Sequence, residues 1–145
     1  LSAHMVLPLA ERSRLLLRGD IGAIQAAKFS DLPPSQRFFA GGDQSVRGYG
    51  YQELSPKNAD GDAIGGQNLA VASIEVDYLF YKNFGVATFF DVGNAGNALL
   101  ADLKKGVGIG LRYRSPIGMI RFDVARALDD DANGFHLHIS IGADL

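Results

Sequence analysis

Gly106-Val107-Gly108-Ile109-Gly110-Leu111-Arg112-Tyr113-Arg114 alternates a bulky apolar residue with glycine or arginine at every step. A period of two is strand periodicity, because successive side chains in a strand point to opposite faces. Val107, Ile109, Leu111 and Tyr113 therefore form one face, and the three glycines with Arg112 and Arg114 form the other. A soluble sandwich or lipocalin-like barrel also alternates. However, a water-washed strand face has little use for repeated glycine, whereas a crowded barrel lumen does. The stretch favours a transmembrane barrel strand, with a soluble all-β domain as the alternative.

The same pattern extends in both directions. After a turn at Ser115-Pro116-Ile117-Gly118, the segment from Met119 to Leu128 sets Ile120, Phe122 and Val124 against Arg121, Asp123 and Ala125. The segment from Phe135 to Leu145 sets Phe135, Leu137, Ile139, Ile141 and Leu145 against His136, His138, Ser140, Gly142 and Asp144. Upstream, Phe84 to Gly93 sets Phe84, Val86, Phe90 and Val92 against Gly85, Ala87, Phe89 and Asp91. Asn68 to Phe80 sets Ala70, Ala72, Ile74, Val76, Tyr78 and Phe80 against Ser73, Glu75 and Asp77. Arg14 to Ala26 and Ala3 to Leu9 complete a set of about seven antiparallel strands. Short turns at 10–13, 81–83 and 115–118 alternate with longer loops at 27–66, 94–105 and 129–134, the two-rim pattern of a transmembrane barrel. Single-chain bacterial barrels have even strand numbers from about 8 upward. The expectation is an all-β chain supplying the C-terminal strands of a larger barrel.

Composition agrees. With 145 residues, 47% of them apolar and 21% charged, the chain is one folded unit rather than a disordered one. Fourteen Lys and Arg are scattered and the net charge is −2, which gives no basic face for nucleic acid. The absence of cysteine removes disulfides and thiol chemistry. No apolar run approaches the ~20 residues of a membrane helix.

The segment from 27 to 66 lacks strand periodicity, and loops longer than ~15 residues in compact domains are usually functional or disordered. This one carries Arg37-Phe38-Phe39-Ala40-Gly41-Gly42-Asp43-Gln44-Ser45-Val46-Arg47-Gly48-Tyr49, with aromatic rings to pack and glycines to allow tight paths, so it is expected to be ordered and to fold back onto the strands.

Four motifs in order resemble the C-terminal end of the BamA-type outer-membrane assembly superfamily. They are Gly41-Gly42 with Val46-Arg47-Gly48-Tyr49, Val71-Ala72-Ser73-Ile74-Glu75, Phe89-Phe90-Asp91-Val92-Gly93, and Ser115-Pro116-Ile117-Gly118. The run Arg37 to Asp43 and the ending Ile141-Gly142-Ala143-Asp144-Leu145 are more similar to its translocation and assembly module branch, TamA, although Leu145 departs from the usual terminal aromatic. The resemblance implies a barrel of about 16 strands in the outer membrane of a Gram-negative cell, preceded by POTRA domains. It further implies a protein that inserts or secretes client barrels such as autotransporters through a lateral seam, with a TamB-like inner-membrane-anchored partner. A BamA-type general insertase and a two-partner-secretion-type pore are the alternatives.

Glu75 and Asp91 share the polar face of adjacent strands, opposite or diagonal, where two carboxylates repel unless a cation lies between them. Arg47, with its five-donor fork, is expected to bridge them beside Phe89, with Gly41, Gly42, Val46, Gly48 and Tyr49 shaping the loop. Phe135, Leu137, Ile139, Ile141 and Leu145 mark the seam strand. The glycines at 106, 108 and 110 are expected to leave the lumen open for a passing segment. Asp129 to Gly134 begins like a calcium loop, but Ser140 stands where a bidentate Glu is needed, so an exposed polar loop is expected. His136 and His138 could ligate metal with Asp123, but a hydrogen-bonded lumen pair is the expectation, with no cofactor. No nucleophile elbow, Ser-His-Asp set or acid pair in a cleft is present, and the chain is read as a non-enzyme.

Overall fold

The computed structural model describes residues 1–26, 28–129 and 134–142. Seven strands, β1 (Ser2–Ala10), β2 (Ser13–Ala23), β3 (Asn68–Tyr81), β4 (Phe84–Gly96), β5 (Lys104–Ser115), β6 (Gly118–Ala127) and β7 (Phe135–Gly142), form one antiparallel sheet in sequence order. Each hairpin pairs neighbours, so each strand's face is handed to the next in register. β3 and β4 pair from Asn68↔Gly96 to Tyr81↔Phe84, and β5 and β6 from Gly106↔Ala127 to Ser115↔Gly118. Strand limits differ modestly from the periodicity. β2 stops at Ala23, whereas β4 and β5 extend to Gly96 and back to Lys104, because backbone pairing continues beyond the last clearly alternating side chain. Leu145 and the stretch 130–133 lie outside the described residues.

The faces are inverted relative to a soluble protein. On β4, Phe84, Val86, Thr88 and Phe90 are exposed, while Gly85, Ala87, Phe89 and Asp91 are buried. On β5 and β6, Val107, Ile109, Leu111, Phe122 and Val124 are exposed while Arg112 and Asp123 are buried. An apolar face turned outward with charges inward is stable where the outer solvent is hydrocarbon. No helix among the described residues is long and apolar enough to cross a membrane, and the strands carry this pattern instead.

The segment from 28 to 66 is ordered and lies on the concave polar face. Two single 3₁₀ turns, Phe29–Asp31 and Pro34–Gln36, lead in. A reciprocal backbone pair then closes its base: Phe38 N–H donates to Gly66 O at 2.9 Å and Gly66 N–H to Phe38 O at 2.8 Å. Ala40, Val46, Tyr49 and Leu54 from the loop bury themselves against Val71, Ala95 and Ala127 of the strands, forming the molecule's apolar core inside the sheet's curve. Contacts from residues 45–48 reach β2 through Arg18, β3 through Glu75, β4 through Asp91, β6 through Asp123 and β7 through His138. Flat strands from β2 to β7 would span about 24 Å at ordinary strand spacing. One loop tip cannot bridge that distance, so the sheet curls around it as a segment of a barrel wall.

Candidate functional site

Arg47 has five N–H donors, and all five are used. Nε donates to Asp91 Oδ2 at 2.7 Å, and Nη2 to Asp91 Oδ1 at 3.0 Å and Ser73 Oγ at 3.3 Å. Nη1 donates to Glu75 Oε2 at 2.6 Å and Asp123 Oδ2 at 2.9 Å. Its guanidinium carbon stands 3.4 Å from the centroid of the Phe89 ring, so one face of the planar cation is covered while its edge is hydrogen-bonded. Burial opposes the charge, but the hydrogen bonds and charge of Asp91, with those of Glu75, hold the Arg47 pKa above its ordinary value. Glu75 and Asp91 are diagonal rather than opposite: Glu75 is paired with Phe89 and Ser73 with Asp91.

Two strand residues absent from the sequence reading of the bridge complete it. Arg112 on β5, 1% exposed, donates from Nη2 to Glu75 Oε1 at 2.8 Å and from Nη1 to Asp123 Oδ1. Asp123 thus lies between Arg47 and Arg112, as Glu75 does, and the carboxylates alternate with the cations. Asp77 is held by Arg14 at 2.7 Å at the cluster's margin. Counting back from the Ser115↔Gly118 turn pairs Gly110 with Asp123, next to Arg112, so the turn and the parity of the faces were a sufficient signal for both residues.

The β5 glycines do not face open space. A Cβ on Gly106 would collide with the Arg47 carbonyl oxygen, one on Gly108 with the Phe89 ring, and one on Gly110 with the Asp123 carboxylate. Along this part of the wall, the space expected to be open is occupied by the loop and by the side chains it gathers. Gly48 adopts φ +96°, and a Cβ there would stand 2.7 Å from the Arg126 main chain, so both conformation and space require glycine. Val46 and Tyr49 are buried on either side of the arginine, and Gly41 and Gly42 turn the chain with positive φ.

The expected histidine pair is also rearranged. The rings of His136 and His138 stack at 6.3 Å, but His138 bonds to the loop instead of to His136, accepting from Gly48 N–H at Nε2 and contacting Asp43 through Nδ1. Both nitrogens are engaged, which takes the ring out of a metal-ligating role. Asp129 accepts from Lys105 N–H at 2.6 Å, and the rest of the acidic stretch, 130–133, lies outside the described residues. Phe135, Leu137, Ile139 and Ile141 are exposed along the outer face of β7.

A family model described as the Omp85 superfamily domain matches residues 1–144. The chain belongs to the Omp85 superfamily. The outer membrane assembly factor BamA of Nitratidesulfovibrio vulgaris is 36% identical over 121 residues, covering 78% of this chain and 15% of that protein. The crystal structure of BamA from Haemophilus ducreyi lacking POTRA domains 1–3 is similar in fold, with a TM-score of 0.69 and 22% identity, covering 97% of this chain and 32% of that one. The chain therefore spans about 15% of the length of the curated relative it matches. For an Omp85 chain with its apolar face outward, the location is the outer membrane of a Gram-negative cell, and the all-β expectation holds.

Proposed function

We propose that this Omp85 chain is the C-terminal part of the barrel of an outer-membrane protein assembly factor, whose clients are other β-barrel proteins. The observation that supports the reading is the match of an Omp85 domain to residues 1–144 on a sheet whose apolar side chains face outward, those of β7 included. In hydrocarbon each unsatisfied backbone N–H or C=O costs several kcal/mol, so a strand that is incompletely closed against its neighbour recruits a client strand by β-augmentation. No step of bond making or breaking is required, and the reaction is strand exchange.

In the full-length protein, a disulfide joining the vicinity of Ile139 to the barrel's first strand abolishes client assembly while leaving the barrel folded. Full assembly activity in the locked protein would sink the reading. The run Arg37 to Asp43 supports a finer version, a TamA-type factor serving autotransporters with a TamB-like partner, although the matched relatives bear the BamA name. Deletion of the gene distinguishes the two: selective loss of autotransporters supports the TamA type, and general loss of barrels the BamA type. A two-partner-secretion pore would need a wide passage, and along this part of the wall the loop occupies the concave face. A large, steady conductance of the full-length barrel would favour that alternative.

A further inference from the structure

His138 on β7 makes two hydrogen bonds to the loop. Its Nε2 lies 3.1 Å from the Gly48 amide nitrogen, and its Nδ1 meets the Asp43 carboxylate. The Gly48 N–H can only donate, so Nε2 carries the lone pair and the ring proton sits on Nδ1, where it donates to Asp43. One imidazole with one fixed tautomer thus grips the loop on both sides of Arg47. The ring is buried, whereas Asp43 is 42% exposed. Gly48 adjoins Arg47 in the chain, so any displacement of the arginine from Asp91 and Glu75 also moves the N–H that His138 accepts. Asp123, the residue paired with His138 across the β6–β7 ladder, is itself a partner of Arg47. The strand and the seated arginine are therefore joined twice over.

We infer that His138 is a positioning residue coupling β7 to the loop: a seated Arg47 holds β7 in place, and release of either loosens the other. This deepens the assembly reading and rests on it only for the consequence at the seam. The coupling itself is a property of the fold and is measured separately. Coupling of this kind is reciprocal, so it must be visible from both ends.

Amide hydrogen exchange on the full-length protein in lipid nanodiscs provides the test. His138→Ala is expected to raise exchange roughly fivefold at Gly48 and along β7, the scale of one lost hydrogen bond. In His138→Gln the side-chain oxygen reaches the place of Nε2 and can accept from Gly48, so protection at Gly48 returns. In His138→Asn the amide reaches only the place of Nδ1, so Gly48 stays unprotected. From the other end, Arg47→Ala raises exchange in β7 although the side-chain hydrogen bonds it removes go to Ser73, Glu75, Asp91 and Asp123, on β3, β4 and β6. Unchanged β7 exchange in Arg47→Ala would overturn the inference, as would His138→Gln exchanging like His138→Ala. If His138→Ala fails to fold, the Gln and Asn pair still decides. Failure of the seam disulfide to block client assembly, with this exchange pattern intact, would count against the proposed function alone.

Discussion

Arg47 holds Asp91 with three donors, its own backbone N–H at 3.0 Å together with Nε at 2.7 Å and Nη2 at 3.0 Å. The main chain and the side chain of one loop residue converge on one carboxylate that is itself fully buried. The interaction therefore fixes where the loop backbone lies as well as where its charge goes. The Ser73 hydroxyl, 2.5 Å from Asp91 Oδ1, completes the carboxylate's shell from the neighbouring strand.

Removing Arg47 takes from buried Asp91 the cation that is hydrogen-bonded to it, while Glu75 and Asp123 keep Arg112. Breaking a buried pair by deleting one partner costs about 3 to 5 kcal/mol, and Arg47→Ala in the full-length protein is expected in that range. Arg47→Lys recovers only part, because an ammonium cannot supply five planar donors. Asp91→Asn should be less harmful on the Arg47→Ala background than alone, since the uncompensated charge is then removed. Unfolding midpoints of the two single variants and the double variant measure this. Strict additivity, or a neutral Arg47→Ala, would contradict it.

Gly106→Ala places a methyl group against the Arg47 carbonyl and is expected to unseat the loop, costing about 1 to 3 kcal/mol. Gly19→Ala on β2 meets nothing within 4 Å and should be silent. Limited proteolysis of loop 27–66 in the two variants separates them: cleavage accelerates in the first and matches the parent in the second. Equal cleavage would mean that the β5 glycines do not shape the loop's seat.

Ile109, 68% exposed in the middle of β5, faces outward. On a soluble surface Ile109→Lys would be nearly neutral, but near the middle of a bilayer a lysine on a barrel's lipid face costs about 2 to 4 kcal/mol. Folding of the full-length variant into lipid vesicles, titrated with denaturant, reads the difference. An unchanged midpoint would speak against the lipid-facing orientation of this strand.

The strands and their inside-out polarity were legible in the sequence because both depend on local period and on composition, and a residue's parity along a strand settles which face it takes. Hairpin turns extend that parity to neighbours, so even the proximity of Arg112 and Asp123 could have been counted from Ser115 and Gly118. The strand ends were less legible, because backbone pairing at Lys104 or Gly96 does not depend on which side chain is there. The placement of the loop was different in kind. Arg47 is 28 residues from Glu75, 44 from Asp91 and 76 from Asp123, and no periodicity connects them. Charge alone asked for a cation between carboxylates; that one guanidinium serves three of them, and that glycines open a seat for the loop instead of an empty channel, follows from the curvature of the sheet. Curvature belongs to the paired strands collectively and to no single stretch of sequence, so only the tertiary structure decided what fills the lumen.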